Sequence, residues 1–318
     1  MQETKPDPRW SFIERIHFPW LQQLYRRLPK NKVPLLSGEV LLIGTDSSGM
    51  QRGSRYVVVG AIVMDMTHSP TWHRDRLRIR RDILRDGRRM SYKNLNDAQR
   101  RKALVPFLEA ADQINGICLL MAFDKRLGRL CTWEGLYEKA KLEGIIKGKW
   151  NQSNLEQMMR TVQLVSTLLA AVAVRGQNIY WISDLDECFA TEERKMDTAR
   201  MMSSFTSEYI KHDLGELGIG TTEIDEGDRL EEDLTAIPDL AAGAVSDLLN
   251  QMHHHLGTIP LVPTFVPTLS GKTDLIASWF FSGKGQLVKL ASVVRFVAHK
   301  HMQVGFFSTE PEGGIVML

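Results

Sequence analysis

Two apolar segments joined by a short polar turn constrain the fold of this chain most. The first runs Val40-Leu-Leu-Ile-Gly-Thr-Asp46-Ser-Ser-Gly49, and the second is Tyr56-Val-Val-Val-Gly-Ala-Ile-Val63. Runs of this length that are rich in β-branched residues and bounded by glycine and polar residues predict two β-strands joined as a hairpin. The hairpin therefore places the Asp46 carboxylate at the end of a buried strand.

Further apolar runs predict a mixed α/β fold. Ile114 to Phe123 is a nearly continuous apolar run that predicts a central third strand, and Gly218 to Asp225 predicts an edge strand. Asn178 to Ser183 predicts another strand, which ends on Asp184 and Asp186. Because side chains alternate along a strand, these two carboxylates are expected on one face. Segments of helical periodicity lie between the strands, so the sheet is expected to be flanked by helices.

The two ends of the chain predict additional helices. Trp10 to Leu28 has apolar residues at mostly helical spacing, and Gly283 to Lys300 has the pattern of an amphipathic helix with a basic outer face. We therefore expect an N-terminal helical arm and linker over 1–34, a main domain over 35–256 and a C-terminal helical extension over 257–318 that packs on the core.

Composition and charge narrow the function classes. The content of 43% hydrophobic and 25% charged residues is ordinary for a globular protein, and no apolar run is long enough for a membrane span. The polar start of the chain is unlike a signal peptide, so a cytoplasmic location is expected. The three cysteines include no CxxC pair, which gives no indication of a disulfide framework or a thiolate zinc site.

Charge is segregated along the chain. His73 to Lys102 holds twelve Arg or Lys against four Asp, whereas Ser183 to Asp239 holds seventeen acids against five bases. The basic segment predicts contact with a phosphate backbone, and the acidic one suits metal binding. The alternative is a solvated helix whose arginines pair with neighbouring aspartates, namely Asp75, Asp82 and Asp86.

Three carboxylates, Asp46, Asp184 and Asp239, follow predicted strands or begin a predicted helix at Pro238. The ends of parallel strands meet at one edge of a sheet, and clustered aspartates repel one another unless a cation neutralises them. Oxygen ligands suit Mg²⁺ or Mn²⁺, and Asp186 is a candidate fourth ligand. Taken singly, Asp46 could start a turn, Asp239 could be placed where the helix dipole favours a negative charge, and Asp184 and Asp186 could cap the following loop.

These motifs resemble domain of unknown function 3800, a bacterial and phage family of the ribonuclease H-like superfamily. That family opens on Asp-Glu-Ser-Gly, similar to Asp46-Ser47-Ser48-Gly49, and closes on a helix similar to Ala236-Ile-Pro-Asp239-Leu-Ala-Ala-Gly243. The resemblance covers roughly Glu39 to Gln251. It implies a ribonuclease H-like mixed sheet, with Asp46, Asp184 and Asp239 as metal ligands and Lys93 contacting a phosphate or the transition-state charge.

The leading hypothesis is a metal-dependent nuclease or related phosphodiester-processing enzyme that acts on DNA or RNA. Ser47 and Ser91 stand where the family usually has acids. These departures support the alternative, a catalytically silent module that binds nucleic acid or a protein partner in a defence or mobile-element system. A phosphotransferase of the actin-like branch would need two further glycine-rich loops, which the sequence does not contain.

Two other motifs predict little. Ser270-Gly-Lys272-Thr273 is similar to the end of a P-loop but lacks the upstream glycine, since Val266 stands there. His253-His254-His255 could supply a general acid or base near a phosphodiester, although helical rotation separates consecutive side chains.

Overall fold

In the part of the chain that the structure describes, the predicted hairpin lies near the centre of an eight-stranded mixed sheet. The computed structural model describes residues 8–16, 18–28, 30, 32–128, 133–184, 189–225, 227–256, 271–297, 301–307 and 316–317. The strands are β1 (Val40–Ser48), β2 (Tyr56–Asp65), β3 (Gly116–Asp124), β4 (Asn178–Ser183), β5 (Leu217–Thr221), β6 (Val288–Val297), β7 (His301–Phe307) and β8 (Val316–Met317).

The sheet order is β5-β4-β1-β2-β3-β6-β7-β8. The first three strands form an antiparallel meander, in which Asp46 of β1 pairs with Gly60 of β2. β4 then pairs in parallel with β1, and β5 in parallel with β4. This is a ribonuclease H-like arrangement, so the predicted mixed α/β fold is confirmed. β5 is an edge strand, as its sequence predicts.

Helices cover both faces of the sheet. They are α1 (Pro19–Arg27), α2 (Pro70–Asp82), α3 (Ala98–Ala111), α4 (Trp133–Leu142), α5 (Gln152–Val172), α6 (Glu192–Tyr209), α7 (Leu230–Leu256) and α8 (Gly271–Phe281), with 3₁₀ helices over Pro8–Arg15, Tyr92–Asn94, Lys125–Leu127 and Thr222–Ile224. One hydrophobic core lies between the sheet and α5, and the other lies between the sheet and α7. Every residue of β2 and β3 is buried, as expected of strands covered on both faces. None of the helices in the described ranges could span a membrane.

The predicted N-terminal helices are present. Their apolar side chains, including Phe12, Leu21 and Tyr25, are buried in the core on the α5 side. The division of the chain into 1–34, 35–256 and 257–318 stays a prediction, and β6 and β7 extend the same sheet as the main domain.

The predicted C-terminal helix over Gly283 to Lys300 is wrong. Val288–Val297 forms β6, which pairs in parallel with β3. Lys289, Ser292 and Arg295 recur every third residue, a spacing that mimics one face of a helix. Pairing with the otherwise open edge of the buried strand β3 outweighs that local pattern, because unpaired backbone groups at a buried edge are costly.

The predicted helix start at Pro238 is also wrong. α7 begins at Leu230 and contains Pro238 in its interior. Proline inside a helix removes one backbone hydrogen bond. The preceding turns are nevertheless helical, because Leu234 and Ile237 are fully buried in the core beneath α7. Asp239 therefore lies within a long helix and not in its first turn.

Candidate functional site

Asp46, Asp184 and Asp239 converge from three elements of the fold. β1 and β4 are parallel and in register up to the residues just before Asp46 and Asp184, so these two carboxylates are neighbours. α7 crosses the sheet in direct contact with it, since a Cβ added at Gly60 would lie only 2.9 Å from Cβ of Pro238. Because Gly60 pairs with Asp46, this close approach brings Asp239 to the same place. The grouping predicted for the three residues is thus present.

Arg89 pairs with two of these carboxylates. Its Nη1 lies 2.5 Å from Oδ1 of Asp184, and its Nη2 lies 3.6 Å from Oδ2 of Asp46. Arg89 belongs to the segment between α2 and α3 that is not regular helix, and its carbonyl accepts a hydrogen bond from Nε of Arg100 at 2.7 Å. The Nε of Arg89 is buried and has no hydrogen-bond partner among the described residues. The guanidinium is therefore only partly satisfied in this position.

Backbone and hydroxyl groups orient each carboxylate. The Tyr92 N–H donates to Oδ2 of Asp239 at 2.8 Å, and the Thr222 hydroxyl donates to Oδ1 of Asp184 at 2.9 Å. Ser91 also hydrogen-bonds Asp239. Ser47 faces the opposite side of the sheet from Asp46, where its Oγ accepts from Nε2 of Gln157 at 2.9 Å.

The three carboxylates carry more negative charge than Arg89 can neutralise. Burial and the neighbouring charges of Asp239 and Asp184 raise the pKa of Asp46 well above its ordinary value. Burial also raises the pKa of Asp239, against the effect of the Tyr92 N–H and of Arg89. With all three ionised, one guanidinium leaves two negative charges uncompensated. Such a site favours a further cation.

Substitution of Asp46 by asparagine should stabilise the metal-free protein by about 0.5 to 2 kcal/mol at neutral pH. A carboxyl group with a raised folded-state pKa contributes stability below its ordinary pKa and loses that contribution as the pH rises through the raised value. Asparagine carries no charge to lose, and its Oδ1 can still accept from the Ser47 N–H that now bonds Asp46.

Urea unfolding of wild type and Asp46→Asn in EDTA measures this difference. The gain should be largest at neutral pH and should shrink as the pH falls towards about 4, the ordinary pKa of aspartate. A variant that is less stable than wild type at neutral pH would show that the Asp46 charge is well compensated.

The predicted role of Lys93, contact with a phosphate or the transition-state charge, stays a prediction. The Lys93 side chain is exposed on the 3₁₀ turn Tyr92–Asn94, and no ion pair joins it to Asp46, Asp184 or Asp239, all of which are described. Among the described residues, Arg89 is the cation that ion-pair contacts join to Asp46 and Asp184. The sequence gives Arg89 no distinguishing signal within an arginine-rich run. Asp186, the candidate fourth ligand, lies outside the described residues, as do Ser270 and the rest of 257–270.

Much of the basic segment His73 to Lys102 is neutralised within the molecule. Arg76 and Arg80 are directed inward and pair with the buried carboxylate of Asp233. Arg88 pairs with Asp86 and Asp97. Exposed pairs of arginine with neighbouring aspartate also occur on α2, as the alternative interpretation of this segment expects. Its outward charge is therefore smaller than its composition suggests.

Comparison with solved structures finds ribonucleases H. Bst-RNase HIII in complex with Mn²⁺ is 15% identical with a TM-score of 0.32, over 82% of this chain and 63% of that chain. A mutant protein of Bst-RNase HIII is 16% identical with a TM-score of 0.34 and the same coverage. Ribonuclease H2 from Pyrococcus horikoshii OT3 is 12% identical with a TM-score of 0.31, over 74% of this chain and 96% of that chain. No family model and no curated protein matches the chain.

These similarities concern the fold. The chain spans about 63% of the length of the ribonuclease HIII chains that it matches.

The donor set suits a hard divalent cation in chemistry and charge. Three carboxylates offer only oxygen ligands, which Mg²⁺ and Mn²⁺ prefer, and their uncompensated charge matches one divalent ion. As placed, no group of three His, Cys, Asp or Glu side chains within the described ranges is arranged to hold a metal ion. Arg89 lies between the carboxylates instead, so a bound cation requires this guanidinium to move aside.

Proposed function

We propose that the chain is a metal-dependent nuclease, or a related phosphodiester-processing enzyme, that acts on nucleic acid. One observation carries the proposal: Asp46, Asp184 and Asp239 converge around the guanidinium of Arg89, and mutual repulsion and burial raise the pKa values of Asp46 and Asp239. Burying carboxylates without full neutralisation lowers the stability of the fold. Buried, destabilised carboxylates are therefore common at sites that bind cations or reacting groups. The resemblance of the Asp46 and Asp239 motifs to domain of unknown function 3800 supports the same proposal.

In this proposal the three aspartates hold Mg²⁺ or Mn²⁺. Such an ion supplies Lewis-acid chemistry, the activation of water and the neutralisation of a leaving oxygen at a phosphodiester. The residues of the chain hold and orient the ligands. Tyr92 and Thr222 fix the carboxylates of Asp239 and Asp184 through hydrogen bonds of 2.8 and 2.9 Å. Arg89 would have to leave the carboxylates for such an ion to be held there, and its guanidinium could then contact a phosphate oxygen.

The decisive experiment is cleavage of labelled single-stranded and double-stranded DNA and RNA with Mn²⁺ or Mg²⁺. Wild type is compared with Asp46→Asn and Asp239→Asn, and Asp213→Asn is the matched control because the Asp213 side chain is 93% exposed. We expect activity in wild type and in the control and none above background in the other two variants. Inactive wild type on every substrate, or full activity in both site variants, would overturn the proposal.

Replacing Arg89 by glutamine should tighten Mn²⁺ binding by about tenfold, or about 1.4 kcal/mol. The ion then no longer has to displace a guanidinium that pairs with Asp46 and Asp184. Titration calorimetry and the electron paramagnetic resonance of free Mn²⁺ measure the affinity without any cleavage. Arg85→Gln is the control, since Arg85 is an exposed arginine of the same segment. Weaker Mn²⁺ binding in Arg89→Gln would show that Arg89 supports the metal-bound state.

The second candidate is a catalytically silent module that binds nucleic acid or a protein partner. The ion pair between Arg89 and Asp184 at 2.5 Å favours it, because it partly satisfies the carboxylates without a metal. This alternative predicts no measurable Mn²⁺ binding in either wild type or Arg89→Gln. The metal titration therefore separates the two candidates before any substrate is identified. In both cases the exposed part of His73 to Lys102 is proposed to contact nucleic acid.

A further inference from the structure

A second charge cluster lies at the end of β3, and its sign is opposite to that of the aspartate site. Asp124, the last residue of β3, has a fully buried side chain. Nη2 of Arg55 and Nη2 of Arg126 each lie 2.9 Å from its Oδ2. Arg295 follows Val294, the β6 residue that pairs with Phe123, and its charge also acts on Asp124. Two guanidiniums thus pair with one carboxylate, and a third is close enough for its charge to act on it.

The two arginines that pair with Asp124, Arg55 and Arg126, exceed its charge by one. The Arg126 side chain is 58% exposed, whereas Asp124 is inaccessible, so the cluster presents positive charge to solvent. Burial lowers the pKa of the Arg295 guanidinium, which is 8% exposed as a residue. His253 adds no further charge at neutral pH, because burial and Arg55 lower its pKa. Its Nδ1 lies 2.9 Å from Nη1 of Arg55.

The same end of the sheet carries both clusters. Asp46 and Asp124 lie in the halves of β1 and β3 that point the same way, and α7 contacts both regions. Asn250 of α7 accepts from the Arg55 N–H at 2.9 Å and donates to the Ser54 hydroxyl at 2.9 Å. This fixes the turn that carries Arg55 against the helix that carries Asp239.

The helix also sets the separation between the clusters. Asp239 and His253 lie on α7, and at 1.5 Å per residue their Cα atoms are roughly 21 Å apart. That distance is the axial length of about six nucleotides of a B-form duplex. A nucleic-acid strand of about this length can therefore reach both places.

We propose that Arg55 and Arg126 form a phosphate-binding site for the nucleic-acid backbone, with the charge of the buried Arg295 behind them. The site would hold the backbone about six nucleotides from the aspartates, and it deepens the proposed function by naming a second contact with the same substrate. Guanidinium groups are suited to this task, since their paired donors match phosphate oxygens. Asp124 orients the arginines from below and cannot itself contact the ligand.

The test measures binding in EDTA, where no metal-dependent cleavage occurs. Fluorescence anisotropy of labelled DNA and RNA strands of about 12 nucleotides, over a series of salt concentrations, compares wild type with Arg126→Gln. The control is Arg175→Gln, since the Arg175 side chain is 77% exposed and precedes β4 at the opposite end of the sheet. We expect Arg126→Gln to weaken binding about threefold to tenfold and to reduce the salt slope by about 1, with no change in the control.

Equal affinity of wild type and Arg126→Gln, or an equal loss in Arg175→Gln, would overturn the proposed phosphate site. Competition with inorganic phosphate separates a site for free anions from a site for the nucleic-acid backbone. Binding of phosphate with no binding of either oligonucleotide would also overturn the proposed site. Arg55→Gln provides a second variant, and thermal unfolding verifies that each variant is folded. These outcomes are independent of the nuclease proposal, which fails on absent cleavage even when Arg126→Gln weakens binding as expected.

Discussion

Gly243→Ala should lower the free energy of unfolding by about 2 to 3 kcal/mol. An alanine inside a helix is ordinarily more stable than glycine by about 0.5 to 1 kcal/mol, so the expected sign is reversed. The cause is contact with Tyr92, because a Cβ at position 243 would lie 2.3 Å from its Cγ and 2.4 Å from its Cδ1. Since the ring is buried, it cannot move aside without displacing its neighbours.

Displacement of Tyr92 should also reach the aspartate site. Its N–H holds Asp239, and its hydroxyl donates to Asp247 at 2.5 Å and contacts the Thr273 hydroxyl at 2.7 Å. We therefore expect weaker Mn²⁺ binding together with the loss of stability. Urea unfolding and Mn²⁺ titration measure the two effects.

Gly271→Ala is the matched control for this substitution. Gly271 is the first residue of α8, and a Cβ there would meet nothing within 4 Å. The control should change the free energy of unfolding by less than about 0.5 kcal/mol. If Gly243→Ala is as stable as wild type, the tight packing of α7 against Tyr92 is not required.

Asp233→Ala should cost about 3 to 5 kcal/mol, because it removes the common partner of two buried guanidiniums. The Asp233 side chain is 1% exposed, and Oδ1 lies 2.6 Å from Nη2 of Arg80 while Oδ2 lies 3.4 Å from Nη1 of Arg76. Without this carboxylate, Arg76 keeps only the half-exposed Asp228, and Arg80 keeps Glu232. Two charges would then remain buried with weaker compensation.

Asp228→Ala is the control for Asp233→Ala. The Asp228 side chain pairs with Arg76 but is 54% exposed, so its loss should cost at most about 1 kcal/mol. Chemical unfolding at neutral pH compares the two variants. Similar losses in the free energy of unfolding for both variants would mean that the burial of Asp233 does not determine how strongly α2 is held to α7.

The central strands were predictable because their sequence pattern agrees with their environment. β2 and β3 are continuous apolar runs and are buried throughout. Asp46 and Asp184 could be placed together because parallel strands in register bring their ends to one edge. Asp239 was also placed correctly although the predicted start of α7 was wrong. The face of the helix on which Asp239 lies depends on the helical periodicity and not on where the helix begins.

The remaining features depend on contacts that are distant in sequence. Nothing local distinguishes Arg89 from the other arginines of its run or from Lys93, because its role is set by where the loop after α2 meets β1 and β4. The sequence analysis missed the charge cluster around Asp124 for the same reason. Arg55, Arg126 and Arg295 lie on three separate segments, and only the pairing of β2, β3 and β6 brings them to Asp124.

The three carboxylates and their counter-cation belong to parts of the fold that differ in kind. Asp46 and Asp239 lie within a regular strand and a regular helix, and Asp184 directly follows a strand, whereas Arg89 lies in an irregular connection between two helices. Exchange of one positive ion for another would thus require rearrangement of a loop and no change in strand pairing. The distances between the carboxylates are set by the strands and the helix. Which cation lies among them depends on the loop that carries Arg89, and the sequence of that loop can change without changing the sheet.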